Sequence, residues 1–257
     1  MTLNRLYNDL AWLWPVISPP EEYAGESVYW RRALWDNLGE GRHRILELGV
    51  GGGHNLSHLT RHYKATAVDI SPQMLRLSTG LNPGVDHYFG DMRSVRLGRT
   101  FDAVLIHDAV SYLLTEEDVR NTLETAVVHL RPEGVLLIGP DWVREDFDGS
   151  TPKEFRWVRK KGSVEVTIEE YLHDPDPDDT QIESVYTYTI REIGREDGQD
   201  RVEKDTHTTG LFPIATWTRL MEEAGFGVEV SRLPPNRGGY GGVLFSGLLL
   251  PQEPTDG

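Results

Sequence analysis

Residues 46–55 read LELGVGGGHN, and this short stretch decides the fold. Four of the five residues from 49 to 53 are glycines, and they follow an apolar run that begins at Ile45. Glycine carries no side chain and adopts backbone conformations that other residues avoid, so such a turn lets a bulky group approach the backbone closely. The pattern predicts a buried strand that ends in a ligand-binding turn.

The spacing of these glycines does not fit two common ligand-binding turns. The dinucleotide fingerprint G-x-G-x-x-G needs a third glycine, but its place holds His54 when counted from Gly49 and Leu56 when counted from Gly51. The phosphate-binding loop needs Gly-Lys-Ser or Gly-Lys-Thr, which does not follow here. The remaining pattern is an acid, Glu47, followed by three glycines at alternate positions.

Apolar segments alternate with helix-like segments from residue 44 to residue 140. Uninterrupted apolar runs between helices are typical of parallel strands that are covered on both faces. The predicted strands are 44–49, 65–71, 85–91, a run beginning at 101, and 135–142, with 131–134 as a turn; the predicted helices are 54–63, 72–80 and 115–130, the last capped by Thr115.

Residues 144–210 break this rhythm. Their polar and apolar residues alternate and include many β-branched side chains, which is typical of antiparallel strands. The predicted strands are 163–173, 181–193 and 200–211, with turns at 173–180 and 194–200. A helix ending at Gly225 and strands at 227–233 and 241–250 then complete the main sheet.

The N-terminal segment is rich in aromatic residues and predicts two helices, 3–13 and 25–38, separated by prolines that break the first helix. We predict an N-terminal helical cap over 1–40, an α/β domain over 41–143 and 211–250, and an antiparallel β lid over 144–210. The basic stretch RWVRKKG, 156–162, is interpreted as a solvated loop.

The composition narrows the function classes. The 257 residues carry a net charge of −15, which disfavours a phosphate-backbone substrate, so no nucleic-acid partner is expected. The chain has no cysteine, which excludes disulfides, thiolate metal sites and thiol nucleophiles. No N-terminal signal or membrane span is recognised, and a cytoplasmic protein is expected.

The glycine turn and three later motifs together resemble the class I S-adenosylmethionine-dependent methyltransferases. The motifs are LELGVGGG, VDIS with Asp69, GDMRSV with Asp91 and Met92, and FDAVLIHDAVSYL, and they occur in the family's order. The resemblance implies an α/β fold with a Rossmann-like seven-stranded sheet, an N-terminal helical cap and an antiparallel insertion after strand five. It also implies S-adenosylmethionine as the cofactor.

The resemblance implies a cofactor site along the ends of the strands. The glycine turn would lie under the methionine end of the cofactor, with Asp69 on the ribose hydroxyls and Asp91 and Met92 at the adenine. An acid at the end of a strand suits a cis-diol, and ligands of α/β sheets bind where the strands end. The residues implied to bind the cofactor are Glu47, Gly49, Gly51, Gly53, Asp69, Ile70, Met74, Asp91, Met92, His107, Tyr23 and Trp30.

The segment after the fourth strand supplies the catalytic candidates. An acceptor amine or hydroxyl must lose a proton when it is methylated, and a histidine or carboxylate can accept it. We predict His107 as this base, with Asp108 and Tyr112 as alternates. No metal is expected, since no acid completes the set formed by His54, His58 and His62, whose face of the helix is expected to be solvated.

The antiparallel insertion resembles the lid of small-molecule N-methyltransferases that act on amino sugars or glycine-type amines. A small-molecule acceptor, an amine rather than a hydroxyl, is therefore expected, and a homodimer is possible. The alternatives are an O-methyltransferase, an NAD-dependent oxidoreductase and a non-catalytic binding module. Three further residues in the insertion, Tyr186, Tyr188 and His207, are expected to pack within their strands.

Overall fold

We describe the protein from a computed structural model, which covers residues 3–149, 151–194, 199–234 and 242–251. Seven strands form one sheet in the order β10-β11-β5-β4-β1-β2-β3. They are β1 (Arg44–Leu48), β2 (Lys64–Asp69), β3 (Asp86–Phe89), β4 (Phe101–Ile106), β5 (Leu130–Ile138), β10 (Phe226–Arg232) and β11 (Val243–Leu249). The predicted seven-stranded α/β sheet is confirmed.

Strands β1 to β5 pair in parallel, whereas β11 runs antiparallel to β5 and to β10. The helices that accompany the sheet are α1 (Trp14–Ile17), α2 (Glu26–Leu38), α3 (His54–Ser57), α4 (Pro72–Leu81), α5 (Glu116–His129) and α6 (Ile214–Glu223). Thr115 caps α5 as predicted, because its side chain accepts a hydrogen bond from Asp118 N.

Both faces of the sheet are buried. On one face, Trp30 and Leu34 of α2 pack on Ile45, and the cluster extends across β4 and β5. On the other face, residues of α5 and α6 cover the opposite sides of the same strands. This double coverage explains the continuous apolar runs in the sequence, since a strand buried on both faces has no polar side.

Four further strands form a second, antiparallel sheet between β5 and α6. They are β6 (Lys153–Lys161), β7 (Val164–His173), β8 (Gln181–Glu192) and β9 (Arg201–Gly210), paired in sequence order. The antiparallel insertion is confirmed, although the turn predicted at 194–200 lies partly outside the described residues. The N-terminal segment covers this sheet, with Leu6, Leu10 and Leu13 buried against its apolar face.

The prediction of a helix over 3–13 is wrong. The structure has 3-10 turns at Arg5–Tyr7 and Ala11–Leu13, and α1 follows. The carbonyl of Tyr7 accepts a hydrogen bond from Ser71 Oγ at 2.5 Å, so it is used outside the segment. The amide of Ala11, its partner in an α-helix, bonds Asn8 O instead. Tertiary contacts therefore override the local preference.

The helix predicted over 54–63 is too long. The α-helix ends at Ser57, and the chain continues in turns in which His58 N bonds Asn55 O at 3.1 Å. Leu56, Leu59 and Tyr63 remain buried. The helical spacing thus predicted correctly which side chains are buried, but it predicted incorrectly that the backbone stays helical after Ser57.

The basic stretch 156–162 is a strand for most of its length, and its interpretation as a loop is wrong. Residues 156–161 belong to β6, and β6 pairs with β7 along the whole length of the strand. The side chains of β6 alternate between half-buried and exposed for most of the strand. The half-buried Trp157 packs against the apolar cluster that the second sheet forms with the N-terminal segment. Arg156 and Arg159 form ion pairs with Glu169 and Glu22. Similarly, 131–134, predicted as a turn, lies within β5.

None of the helices in the described ranges combines the length and the apolar character needed to span a membrane.

Candidate active site

The glycine turn holds three residues in the left-handed region. The φ angles of Gly49, Gly51 and Gly53 are 76°, 54° and 74°, which favours glycine strongly. A Cβ at Gly53 would lie 2.3 Å from Ser78 Oγ, whereas one at Gly51 would meet no atom within 4 Å. Gly53 is therefore required for packing against α4, and Gly51 faces open space at the end of β1.

Asp69 ties the glycine turn to the end of β2. Its Oδ2 accepts a hydrogen bond from Gly51 N and its Oδ1 one from Ser71 N, both at 2.7 Å. Burial raises the pKa of Asp69, and the backbone amides oppose that change. Each carboxylate oxygen keeps a second acceptor site, so Asp69 can fix the turn and still accept hydrogen bonds from a ribose.

Two further candidates follow Asp69. Ile70 is half-buried directly after β2, and Met74 is buried in the first turn of α4. The amide of Met74 donates to Ser71 Oγ at 3.0 Å, so Ser71 caps this helix. The cap holds the start of α4 beside the glycine turn.

The segment after β3 reaches the same turn. Met92 Cε lies 3.0 Å from the position of a Cβ on Gly49, and Ala109 Cβ lies 2.4 Å from it. Asp91 pairs with Arg93 at 2.6 Å, and Arg93 also pairs with Asp118 at 2.7 Å. These bonds from Arg93 lower the pKa of Asp91 and fix its carboxylate. The motifs after β1, β3 and β4 thus meet at Gly49.

Glu47 is buried on β1, directly before the glycine turn, with 2% of its surface exposed. Its Oε2 atom has no hydrogen-bond partner among the described residues. Burial raises the pKa of Glu47 to about 8, with His107 opposing and Asp108 adding to the rise. A buried acid without a partner is costly, and a cationic ligand group beside Oε2 would relieve that cost.

His107 follows β4 and lies between carboxylates. Its Nε2 is 2.8 Å from Glu26 Oε1 and its Nδ1 is 3.3 Å from Asp108 Oδ2. Burial opposes protonation, but Asp108, Glu26 and Glu47 together raise the pKa of His107 to about 10. The imidazole is therefore cationic at neutral pH. A cationic imidazole has no lone pair to accept a proton, which argues against His107 as the base.

Glu26, His107 and Asp108 could also be considered as a metal site. Their ligand atoms lie within 4.8 Å of one another. The ion pairs of His107 with Glu26 and Asp108 account for this arrangement.

Asp108 and Asp141 add two further carboxylates, at the ends of β4 and β5. Asp141 N donates to Ser111 Oγ at 2.9 Å, which fixes the chain after β5 to the 3-10 helix at Asp108–Tyr112. Burial and the charge of Asp108 raise the pKa of Asp141. We call Glu26, Glu47, Asp108 and Asp141 the acidic cluster; it surrounds His107.

The two N-terminal aromatic candidates both lie against His107. The ring of Tyr23 is 5.9 Å from the imidazole and its Oη is 2.8 Å from Ser18 Oγ. Trp30 is fully buried, 5.0 Å from the same imidazole, and its indole N–H donates to Glu26 Oε1 at 3.2 Å. Trp30 thus supports the ion pair of His107 and Glu26.

The N-terminal segment is fixed over the glycine turn by histidines that were expected to be solvated. His54 is buried, and its Nδ1 lies 2.6 Å from Ser18 O. His58 Nε2 lies 2.7 Å from Pro20 O. The ring of Trp14 stacks on His54 at 6.0 Å. The expectation of a solvated face is wrong for His54 and His58, whose imidazoles hold the N-terminal segment in place, whereas His62 is exposed as expected.

Tyr112 ends the 3-10 helix that starts at Asp108. Its Oη is 2.8 Å from Tyr7 Oη and 2.7 Å from His207 Nδ1. It therefore connects the end of β4 with the N-terminal segment and with the second sheet.

Comparisons with known proteins agree with this geometry. Residues 45–134 match the family described as methyltransferase domain. The chain is 29% identical over 203 residues to dTDP-3-amino-3,4,6-trideoxy-alpha-D-glucopyranose N,N-dimethyltransferase of Streptomyces venezuelae, covering 77% of this chain and 82% of that protein. The chain thus carries a methyltransferase domain over residues 45–134.

Two solved structures share the fold over nearly the whole chain. Streptomyces venezuelae DesVI has a TM-score of 0.76 at 25% identity, covering 95% of this chain and 96% of that chain. An amino pentose methyltransferase from Micromonospora echinaspora, solved with S-adenosylmethionine bound, has a TM-score of 0.71 at 23% identity, covering 94% of this chain and 95% of that chain. The methyltransferase therefore keeps both the sheet and the insertion of these proteins.

The site of the methyltransferase fits its cofactor, S-adenosylmethionine. The open space over Gly51 and the unpartnered Oε2 of Glu47 suit the bulky methionine end and its ammonium group. Sequence analysis missed Glu26, Asp141 and His207. No spacing marks these residues, and only the fold brings them to the ends of β4 and β5.

Proposed function

We propose that this methyltransferase moves the methyl group of S-adenosylmethionine to the amine nitrogen of a small molecule, in particular a nucleotide-linked amino sugar. The observation that carries the proposal is the acidic cluster beside the glycine turn. Glu26 and Asp108 flank the imidazolium of His107, and Glu47 and Asp141, whose pKa values burial raises, can ionise when a cationic group binds beside them. Such a site attracts a cationic sulfonium and an amine acceptor.

The reaction needs alignment more than chemical activation. The bound cofactor supplies an electrophilic methyl group, and the amine must approach in line with the carbon–sulfur bond. We propose that Asp69, Glu47 and the glycine turn orient the cofactor, with Ile70, Met74, Asp91, Met92, Tyr23 and Trp30 contributing to its site. We assign Asp108, at the start of the 3-10 helix after β4, to the acceptor, whose amine its carboxylate would hold.

The relatives support an amine on a sugar. The Streptomyces venezuelae relative is named for dimethylation of a dTDP-linked amino sugar, and a relative in Streptomyces fradiae for a similar one. The second sheet contacts the 3-10 helix after β4 through His207 and Tyr112, and we expect it to cover an acceptor of that size. A homodimer, the exclusion of nucleic acid, a cytoplasmic location and the domain boundaries stay predictions.

A matched pair of acceptors tests the proposal. Cofactor binding is first measured by titration calorimetry, so that a misfolded preparation is recognised. Turnover is then compared for a dTDP-linked amino sugar and for the analogue with a hydroxyl group in place of the amine. We expect methylation of the amine only. Preferential methylation of the hydroxyl analogue would overturn the assignment of the acceptor.

A further inference from the structure

We infer that Tyr112, His207 and Asp205 form a proton-accepting chain that takes the proton from the acceptor's amine. This inference rests on the proposed function, and it assigns a role to two residues of the second sheet. This chain of hydrogen bonds runs from Tyr112, in the 3-10 helix after β4, to β9, which carries both His207 and Asp205.

The distances define one continuous line of hydrogen bonds. His207 Nδ1 is 2.7 Å from Tyr112 Oη, and His207 Nε2 is 2.8 Å from Asp205 Oδ2. Asp205 as a carboxylate can only accept, so Nε2 carries a proton; in the neutral imidazole, Nδ1 is then the acceptor for the Tyr112 hydroxyl. Tyr7 lies 2.8 Å from Tyr112 Oη and donates to it. Tyr112 Oη thereby keeps one lone pair for an N–H of the acceptor.

The far end of the chain is rigid. Asp205 and His207 are 7% and 4% exposed. Besides His207, Asp205 Oδ2 accepts a hydrogen bond from Leu6 N at 2.8 Å, so the N-terminal segment fixes the carboxylate as well. Burial opposes its ionisation, but the bond from His207 and the bond from Leu6 lower the pKa of Asp205. The carboxylate is charged and can stabilise an imidazolium at His207.

The other titratable groups around the chain do not compete for the proton. Tyr186, whose ring is 5.0 Å from His207, donates its hydroxyl to Glu170 at 2.9 Å. Burial raises the pKa of Tyr7, Tyr112, Tyr186 and Tyr188, so all four phenols are neutral. An ionised Asp141 raises the pKa of Tyr7 and Tyr112 further, which keeps both phenols neutral.

His107 cannot take this role while it is paired with Glu26. It is already cationic, whereas Nδ1 of His207 lies 2.7 Å from the Tyr112 hydroxyl, from which it can accept a hydrogen bond. Tyr112 was among the residues predicted as catalytic, and His207 was expected only to pack. The hydrogen bonds give His207 a second role.

The proton balance of the reaction follows directly. The amine first gives an N–H proton to Tyr112 Oη while the hydroxyl proton of Tyr112 moves to His207 Nδ1. The neutral nitrogen then forms a bond to the methyl carbon, the carbon–sulfur bond breaks, and its electron pair stays on sulfur. The products are the methylated amine and S-adenosylhomocysteine, and His207 releases its proton to solvent before the next turnover.

The test is the pH dependence of kcat/KM for a dTDP-linked amino sugar in wild type, Tyr112→Phe and His207→Gln. Tyr188→Phe is the matched control, because Tyr188 Oη lies on the same sheet, is buried and has no hydrogen-bond partner among the described residues. Cofactor affinity and melting temperature are measured for each variant. A second variant, Asp205→Asn, removes the charge behind His207 without removing the imidazole.

We expect Tyr112→Phe and His207→Gln to lower kcat/KM about 100-fold near pH 7, with unchanged cofactor affinity. The deficit should shrink as the pH passes the amine's own pKa, because the amine is then neutral without help. A loss of kcat/KM that is equal at every pH, or no larger than in Tyr188→Phe, would overturn the proton-accepting role of Tyr112, His207 and Asp205 without affecting the proposed function. Cofactor binding by wild type without turnover of any amine would overturn the proposed function, and this role with it.

Discussion

His107 Nε2 lies 2.8 Å from Glu26 Oε1, joining the end of β4 to the first turn of α2. The pair connects the catalytic edge of the main sheet to the N-terminal segment. It also keeps a cation between the carboxylates of Glu26 and Asp108, which reduces their mutual repulsion. The charge of this imidazole is therefore part of the stability of the site.

The pH dependence of unfolding tests the state of His107. Its pKa in the folded protein is raised from 6.5 to about 10, so it stabilises the fold fully below about pH 6.5 and this contribution is lost as the pH rises through about 10. The pKa of Glu47, which is raised from 4.5 to about 8, causes a similar loss of stability as the pH rises through that lower range. Above pH 8 the decline should therefore come from His107.

We expect the free energy of unfolding of wild type to fall between pH 8 and pH 10, by at most about 1.4 kcal/mol per pH unit. In a Glu47→Gln background, His107→Gln should reduce this decline; the background is needed because the imidazolium lowers the pKa of Glu47, which would otherwise rise when His107 is replaced. The measurement is urea denaturation at each pH. A wild-type stability that stays constant over this range would show that His107 is neutral.

Glu47→Gln should weaken the binding of S-adenosylmethionine. A cationic ammonium near Oε2 would ionise Glu47, whose pKa is about 8 in the free protein. Wild type should therefore release close to one proton per cofactor bound at pH 7, and its affinity should rise by at most about tenfold per pH unit between pH 6 and pH 7.5. Calorimetry in two buffers of different ionisation enthalpy counts the protons.

Glu40→Gln is the control for this prediction, because Glu40 is exposed and lies outside the site. It should release as many protons as wild type. The Glu47→Gln variant should release none from this position and should change the KM of the acceptor little. Equal losses of cofactor and acceptor affinity would contradict the placement of Glu47 beside the cofactor's ammonium.

Asp69→Asn should weaken cofactor binding about tenfold or more, since a charged acceptor for the ribose hydroxyls is lost. An analogue of the cofactor without the 2′- and 3′-hydroxyls separates this effect from damage to the glycine turn. The analogue should bind wild type more weakly than S-adenosylmethionine and should lose little further affinity on Asp69→Asn. Equal losses for both ligands would place Asp69 in a structural role only.

Gly53→Ala should lower the free energy of unfolding by about 2–4 kcal/mol. The residue has a φ of 74°, and its Cβ would lie 2.3 Å from Ser78 Oγ, so backbone strain and overpacking both contribute. Gly84→Ala is the matched control, because a Cβ there meets nothing within 4 Å. Denaturation curves compare the two, and similar values would contradict the packing described for the turn.

Patterns that depend on neighbours in the sequence predicted much of the fold. The glycine turn, the strand before Asp69 and the cap at Thr115 are local features, and each was located correctly. The alternation in 163–211 likewise predicted three of the four strands of the second sheet. These signals succeed because burial on one or both faces of a strand leaves a direct trace in the residue types.

The remaining features depend on contacts between distant segments. Ser71 holds the carbonyl of Tyr7, so residues 3–13 do not form the predicted helix. Glu26 and His207 reach the site from α2 and β9, and nothing in their own surroundings distinguishes them from packing or surface residues. His107 was assigned as the base from its position alone, and only the carboxylates around it show that it is cationic.

The most direct test of the central claim is to follow the methyl group itself. Wild type is incubated with S-adenosylmethionine carrying a ¹³C methyl group and with a dTDP-linked amino sugar whose amine is ¹⁵N, and the product is examined by NMR. The account predicts a ¹³C signal with a one-bond coupling to ¹⁵N. A ¹³C methyl signal without that coupling, or a bound cofactor with no transfer, would contradict it.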